Sequence, residues 1–258
     1  MAYKEVGSGD PIILVHGSAS DYRVWATQYD VLAKSHRVIG VSLRHFYPEQ
    51  WNGEGDGFSI KQHAADIVSF VQQLKLGRVH LLGHSRAGSV VIEVAKSHPE
   101  ILRTLILEDG SFDMPVPETD EGKKAAESLK SLIAKLKEQL HAGEKSKAAQ
   151  TLVDTLNSPG AWDKTPDAIK EMVLVNIYSV TAERERPVTT CDDFRKFTFP
   201  VLLVTGEKSP KRYEFFYNEM RKCKSFDAPV VIPNAAHGMH RQNPEAFNKA
   251  VLEFVSKN

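Results

Sequence analysis

The sequence predicts an α/β fold: a mostly parallel, twisted sheet with helices on both faces and an inserted helical cap. Three observations predict it. Short apolar runs rich in β-branched residues alternate with amphipathic helical patterns along most of the 258 residues. The alternation breaks between Phe112 and Phe199, where helical stretches succeed one another without a convincing strand. One apolar run also feeds directly into a tight turn of small residues around a single serine.

Strands are predicted at Pro11–His16, Arg37–Leu43, Val79–Leu82, Thr104–Leu107, Val201–Thr205 and Pro229–Pro233, each an apolar run bounded by polar or turn residues. Between them, Ile60, Ala64, Ile67, Val71 and Leu74 recur at helical spacing, as do Phe247, Val251 and Phe254. Asn243-Pro244 supplies an N-cap and a first-turn proline for that last helix. Within the break, Leu129, Leu132, Leu136 and Leu140 form one stripe; Leu152 with Leu156, and Ile169 with Val173 and Ile177, form two more. These divide the chain into a core of residues 1–111 and 198–258 and a cap of residues 112–197. An insertion after the strand ending at Leu107 lies over the strand C-termini, where α/β sheets bind ligands.

Composition removes several function classes. The 33 basic and 33 acidic residues cancel, so no field favours nucleic acid or an anionic membrane surface. No apolar stretch reaches the ~18 residues that span a bilayer. Met1–Glu5 leads almost at once into a strand, and no signal peptide is expected. Two cysteines, Cys191 and Cys223, are too few for a disulfide framework and fit a reduced, cytoplasmic setting. No H-x-x-x-H or Cys/His cluster suggests a metal, and no cofactor is expected.

The chemistry-bearing motif is Gly83-His84-Ser85-Arg86-Ala87-Gly88, between the strand Val79–Leu82 and the helical pattern Val90, Val91, Val94, Ala95. Strand, tight turn and helix present a serine hydroxyl above a sheet, and the small neighbours accommodate its strained backbone. In this the chain resembles the α/β-hydrolase superfamily over nearly its whole length. The resemblance extends to His16-Gly17-Ser18 with Trp25 following. It implies Ser85 as nucleophile and the main-chain N–H groups of Ser18 and Arg86 as an oxyanion hole, each donor worth ~3–4 kcal/mol to a tetrahedral intermediate.

The base is expected in the loop after the last strand. His237, in the small-residue context Ala236-His237-Gly238, fits it, with His240 as a competitor read as a surface or helix-entry residue. Activity should then rise through an apparent pKa near the ordinary ~6.5 of histidine.

A carboxylate must hold that imidazole. The family's usual position, in Thr205-Gly206-Glu207-Lys208-Ser209-Pro210, carries Ser209. The strand before the insertion instead ends Leu107-Glu108-Asp109-Gly110, with Asp109 24 residues after Ser85. Haloalkane dehalogenases and a lactone-cleaving branch carry their acid there, so the resemblance implies Asp109, with Glu207 and Glu108 as alternatives. Glu108 and Asp109 cannot both face the histidine, since a strand alternates its faces. The 205–210 turn is then expected to be a structural relic.

Serine with an oxyanion hole means acyl transfer to water. The expected function is cleavage of a small carboxylic ester or lactone by a monomer or homodimer. The alternatives are a ligand sensor with a slow triad, or a C–C bond hydrolase or perhydrolase. Arg44, His45, Phe46, Tyr47 and Trp51 either shape the pocket or pack on the surface, while Trp162, Met172 and Tyr178 are read first as packing within the cap.

Overall fold

The computed structural model describes residues 1–182 and 186–258. Its strands and helices alternate through the first 108 residues: β1 (Tyr3–Val6), β2 (Pro11–Val15), α1 (Ala26–Leu32), β3 (Arg37–Val41), α2 (Ile60–Gln73), β4 (Val79–His84), α3 (Ala87–Ser97) and β5 (Leu102–Glu108). Three helices then follow without an intervening strand: α4 (Asp120–His141), α5 (Lys145–Leu156) and α6 (Asp167–Val175). Alternation resumes with α7 (Cys191–Arg195), β6 (Val201–Gly206), α8 (Lys211–Cys223), β7 (Val230–Ile232), α9 (Met239–Gln242) and α10 (Pro244–Val255).

The seven strands form one sheet in the order β1-β3-β2-β4-β5-β6-β7. Only β1 is antiparallel, pairing with β3 at the edge. This strand was not predicted. Tyr3-Lys4-Glu5 is exposed, so no apolar run marks it, and only the pairing with β3 defines it. The central strands β2 and β4 are buried along their length, which is why they read as continuous apolar runs.

The sheet separates two cores. α2, α3 and part of α8 close one face through Ile67, Val91, Tyr217 and Met220. α1 and α10 close the other through Tyr29, Leu32, Phe247 and Val251. A third cluster, Leu132, Leu136, Ala148, Leu152, Val173 and Ile177, belongs to the inserted helices and also takes in Ala19 from the loop after β2. Asn243 caps α10 as expected, its Oδ1 accepting from the Ala246 N–H at 3.2 Å.

Cys191 and Cys223 are joined in a disulfide, where free thiols were expected. The residues are 32 apart in sequence. Only the packing of α7 against α8 brings them together, and a count of cysteines carries no such information.

Candidate active site

Ser85 occupies the turn between β4 and α3 with φ +54°. Its neighbours must be small because backbone packs directly against them. A Cβ on Gly83 would lie 2.7 Å from the Ala87 carbonyl oxygen, and one on Gly88 would lie 2.6 Å from the Gly110 Cα. The elbow is therefore wedged between its own helix and the chain leaving β5. The N–H of Ser85 donates to the Glu108 carbonyl at 3.0 Å, and the N–H of Ser111 donates to the Ser85 carbonyl at 2.8 Å. The β5 register thus carries Asp109 past the Ser85 turn.

Asp109, itself at φ +40°, is fully buried. Its Oδ2 lies 3.0 Å from His237 Nδ1. The 205–210 turn is not a relic: Ser209 Oγ donates to the same Oδ2 at 2.6 Å, and Thr205 Oγ1 donates to Oδ1 at 2.7 Å. Burial raises the Asp109 carboxyl to about 7, against the pull of these two hydroxyl donors. Glu207, the alternative acid, is exposed and turns away, accepting from the Asn234 N–H at 2.7 Å. The sheet order made this possible, since β6 is the neighbour of β5 and its end reaches Asp109 directly.

The Tyr213 ring stacks on His237 with centroids 4.9 Å apart and planes 9° from parallel. Burial pushes the His237 pKa well below its ordinary value, with Arg212, His240 and Arg241 adding to the effect. The imidazole is neutral at pH 7 and able to accept a proton.

The loop after β2 closes the third side. A Cβ on Gly17 would sit 2.8 Å from Ser85 Cβ, so Gly17 lets the loop carrying Ser18 touch the elbow. His16 holds the loop in place: its Nε2 accepts from the Leu43 N–H at 3.1 Å, which leaves Nδ1–H to donate to the Gly17 carbonyl at 2.7 Å.

The sequence matches the profile of the alpha/beta hydrolase family over residues 12–250. The chain belongs to that family. A (E)-2-((N-methylformamido)methylene)succinate hydrolase of Acinetobacter baylyi is 21% identical over 265 residues, covering 98% of this chain and 93% of its own. A 2-(acetamidomethylene)succinate hydrolase of Mesorhizobium japonicum is 22% identical, with 98% and 90% covered. Among solved structures, a thermophilic esterase from Thermogutta terrifontis with malate bound superposes with a TM-score of 0.78 at 25% identity, covering 99% of this chain and 93% of that one.

In this alpha/beta hydrolase the inserted helices are tied to the loops around Ser85. The Ala19 N–H donates to Ser179 Oγ at 2.8 Å. Asn176 reaches two loops, donating to Asp21 Oδ2 at 2.9 Å and accepting from the Tyr47 N–H at 2.9 Å. Asn157 Oδ1 accepts from the Gly238 N–H at 3.3 Å. No helix among the described residues is long and apolar enough to cross a membrane.

His240 is not on the surface. It is buried, at the start of α9, and its Nδ1 lies 2.6 Å from Glu108 Oε1. Glu108 and Asp109 thus face different histidines, as strand alternation requires, and burial raises the Glu108 carboxyl to about 8. With His84, these two bring ligand-type atoms within 4.8 Å of one another, the arrangement among the described residues that could hold a metal ion. The sequence hid this group because its members come from β4, β5 and α9.

Ser18, Ser85, Arg86 and His237 line one cavity of about 110 Å³. Leu132, Leu152, Ile169, Met172 and Val173 of the inserted helices form its apolar wall, and Arg212 and Arg241 stand on the polar side. Met172 therefore lines the cavity, whereas Trp162 and Tyr178 pack with the inserted helices' own cluster. The loop after β3 packs on itself: His45 stacks on Trp51 at 4.8 Å and Trp51 on Phe58 at 4.7 Å, with Phe46 buried beneath. Sequence reading missed Tyr213, Arg212 and Arg241. A signal was present in the Arg-Tyr pair that opens α8, where two buried positions carry polar side chains.

Proposed function

We propose that this protein is a serine hydrolase that cleaves a small carboxylic ester or lactone through an acyl-enzyme. Ser85 Oγ attacks the carbonyl carbon and His237 Nε2 takes the hydroxyl proton. Asp109 holds the ring by its Nδ1 and balances the imidazolium as it forms. The N–H groups of Ser18 and Arg86 receive the oxyanion. The protonated His237 gives its proton to the leaving alkoxide, and a water then repeats the sequence to release the acid. Residues 112–197 act as the cap over this site, with 1–111 and 198–258 as the core.

The observation that carries the reading is a serine held at φ +54° in the same cavity as an imidazole whose far nitrogen lies 3.0 Å from a buried carboxylate. Family membership supports hydrolysis, and the hydrolase names of its relatives agree with it. A fluorophosphonate should label the wild type at Ser85 and leave Ser85→Ala unlabelled. Across p-nitrophenyl esters of increasing chain length, with lactones beside them, Ser85→Ala should lower turnover by ~10⁴–10⁶. Labelling at Ser18 or Ser89 instead would overturn the assignment.

A further inference from the structure

Two guanidinium groups stand beside His237 without a carboxylate hydrogen-bonded to either. Arg212 is 8% exposed; its Nη2 donates to Tyr213 Oη at 2.8 Å, and its buried Nε has no partner. Arg241 likewise has a buried Nε without a partner. Its Nη2 lies over Gly238, where an added Cβ would approach it to 2.9 Å, so it adjoins the residue after His237. Neither forms a salt bridge among the described residues. The nearby carboxyls bond elsewhere, Asp109 to Thr205, Ser209 and His237, and Glu108 through Oε1 to His240. Asp109 and Glu108 act on Arg212 and Arg241 through their charge alone, and neither accepts a hydrogen bond from them. Arg186 also lines the cavity, but its charge already acts on Asp113.

Unpartnered guanidinium N–H groups in a buried site carry the full cost of desolvation. A carboxylate supplies what they lack, because its two oxygens match the planar fork of an arginine. Leu132, Leu152, Ile169, Met172 and Val173 give the same cavity an apolar lining. The ligand that fits both has a short apolar chain with a carboxylate at one end and the scissile carbonyl at the other.

We propose that the substrate is an anionic ester, such as the half-ester of a short dicarboxylic acid, with its free carboxylate bound by Arg212 and Arg241. The proposal rests on the hydrolytic reading of Ser85 and His237 and adds the substrate class. Binding of the anion offsets both charges acting on His237, so the ring gains a proton more readily once substrate is in place.

The test separates binding from turnover. In Ser85→Ala protein, monoethyl glutarate should bind at least tenfold more tightly than diethyl glutarate by calorimetry, and less so as salt rises. Adding Arg212→Gln or Arg241→Gln should bring the two affinities close to equal. Gly238→Ala, which keeps both charges but displaces the Arg241 side chain, should lower the preference in part. Thermal unfolding of each variant shows whether it is folded. Equal affinities in Ser85→Ala, no binding of either ester, or a preference that survives both arginine changes would overturn the proposal. Preference for the half-ester without its hydrolysis by the wild type would leave the anion site standing and overturn the hydrolytic reading instead.

Discussion

Ser209 Oγ and His237 Nδ1 meet at one oxygen, Asp109 Oδ2, at 2.6 Å and 3.0 Å. The turn that lacks the family's usual acid therefore supplies a hydroxyl to the carboxylate on the neighbouring strand. Asp109→Asn should lower turnover by about 10⁴, as loss of the orienting acid does in other triads. Ser209→Ala should cost about tenfold to a hundredfold, the equivalent of one hydrogen bond to a charged group. Glu207→Gln should change little. Steady-state kinetics on one ester decides among them, and a large loss in Glu207→Gln with Asp109→Asn intact would reverse the roles.

Gly88→Ala tests the elbow without touching a reacting group. In an ordinary helix the change stabilises by ~1 kcal/mol. Here the new Cβ meets the Gly110 Cα at 2.6 Å, backbone against which no side chain can yield. A lower melting temperature and a sharp loss of turnover are expected, since the same shift moves Ser85 and the chain beside Asp109.

The Glu108–His240 pair is a matter of stability. His240→Ala leaves the Glu108 carboxyl fully buried without its 2.6 Å partner, which should cost about 1–3 kcal/mol in urea unfolding. Glu108→Leu combined with His240→Leu should recover part of that loss. If His240→Ala alone is neutral, the pair contributes nothing to folding.

Acid should destabilise the fold. Burial holds His16 and His84 neutral, with pKa values of about 4 and about 3. In the unfolded chain each titrates near 6.5, so below that pH unfolding takes up protons, and stability falls progressively toward pH 4. Glu108 and Asp109, raised to about 8 and about 7, release protons on unfolding and oppose the trend. His63, His237 and His240 are lowered as well, so the histidines outnumber the carboxyls. The urea midpoint should be lower at pH 5 than at pH 7.5; a higher midpoint at pH 5 would mean these histidines are charged in the folded state.

Helices α4 to α6 share an apolar cluster of their own, joined to one of the sheet's cores through Ile169 and Met172 of α6. Hydrogen exchange should show this segment opening more readily than β4 or β5, with protection rising when an inhibitor occupies the cavity. Uniform protection with no response would count against a lid.

What the sequence determined by itself was whatever repeats locally. Apolar runs of strand length marked β2 to β7, stripes at helical spacing marked α2, α4, α5, α6 and α10, and Gly-x-Ser-x-Ala-Gly between strand and helix marked the elbow. These are legible because each depends on residues within one turn or one strand of each other. The tertiary structure decided everything that depended on which segments meet. It paired exposed Tyr3–Val6 with β3, bonded Cys191 to Cys223, and turned Ser209 toward Asp109 rather than leaving it idle. It also buried His240 against Glu108 and set Arg212 and Arg241 beside His237. A side chain's partner on another element, whether 32 residues away as for Cys191 or 132 as for His240, leaves no periodic trace. The energy of such a contact comes from burial and hydrogen-bond geometry, which exist only after the sheet has ordered its strands.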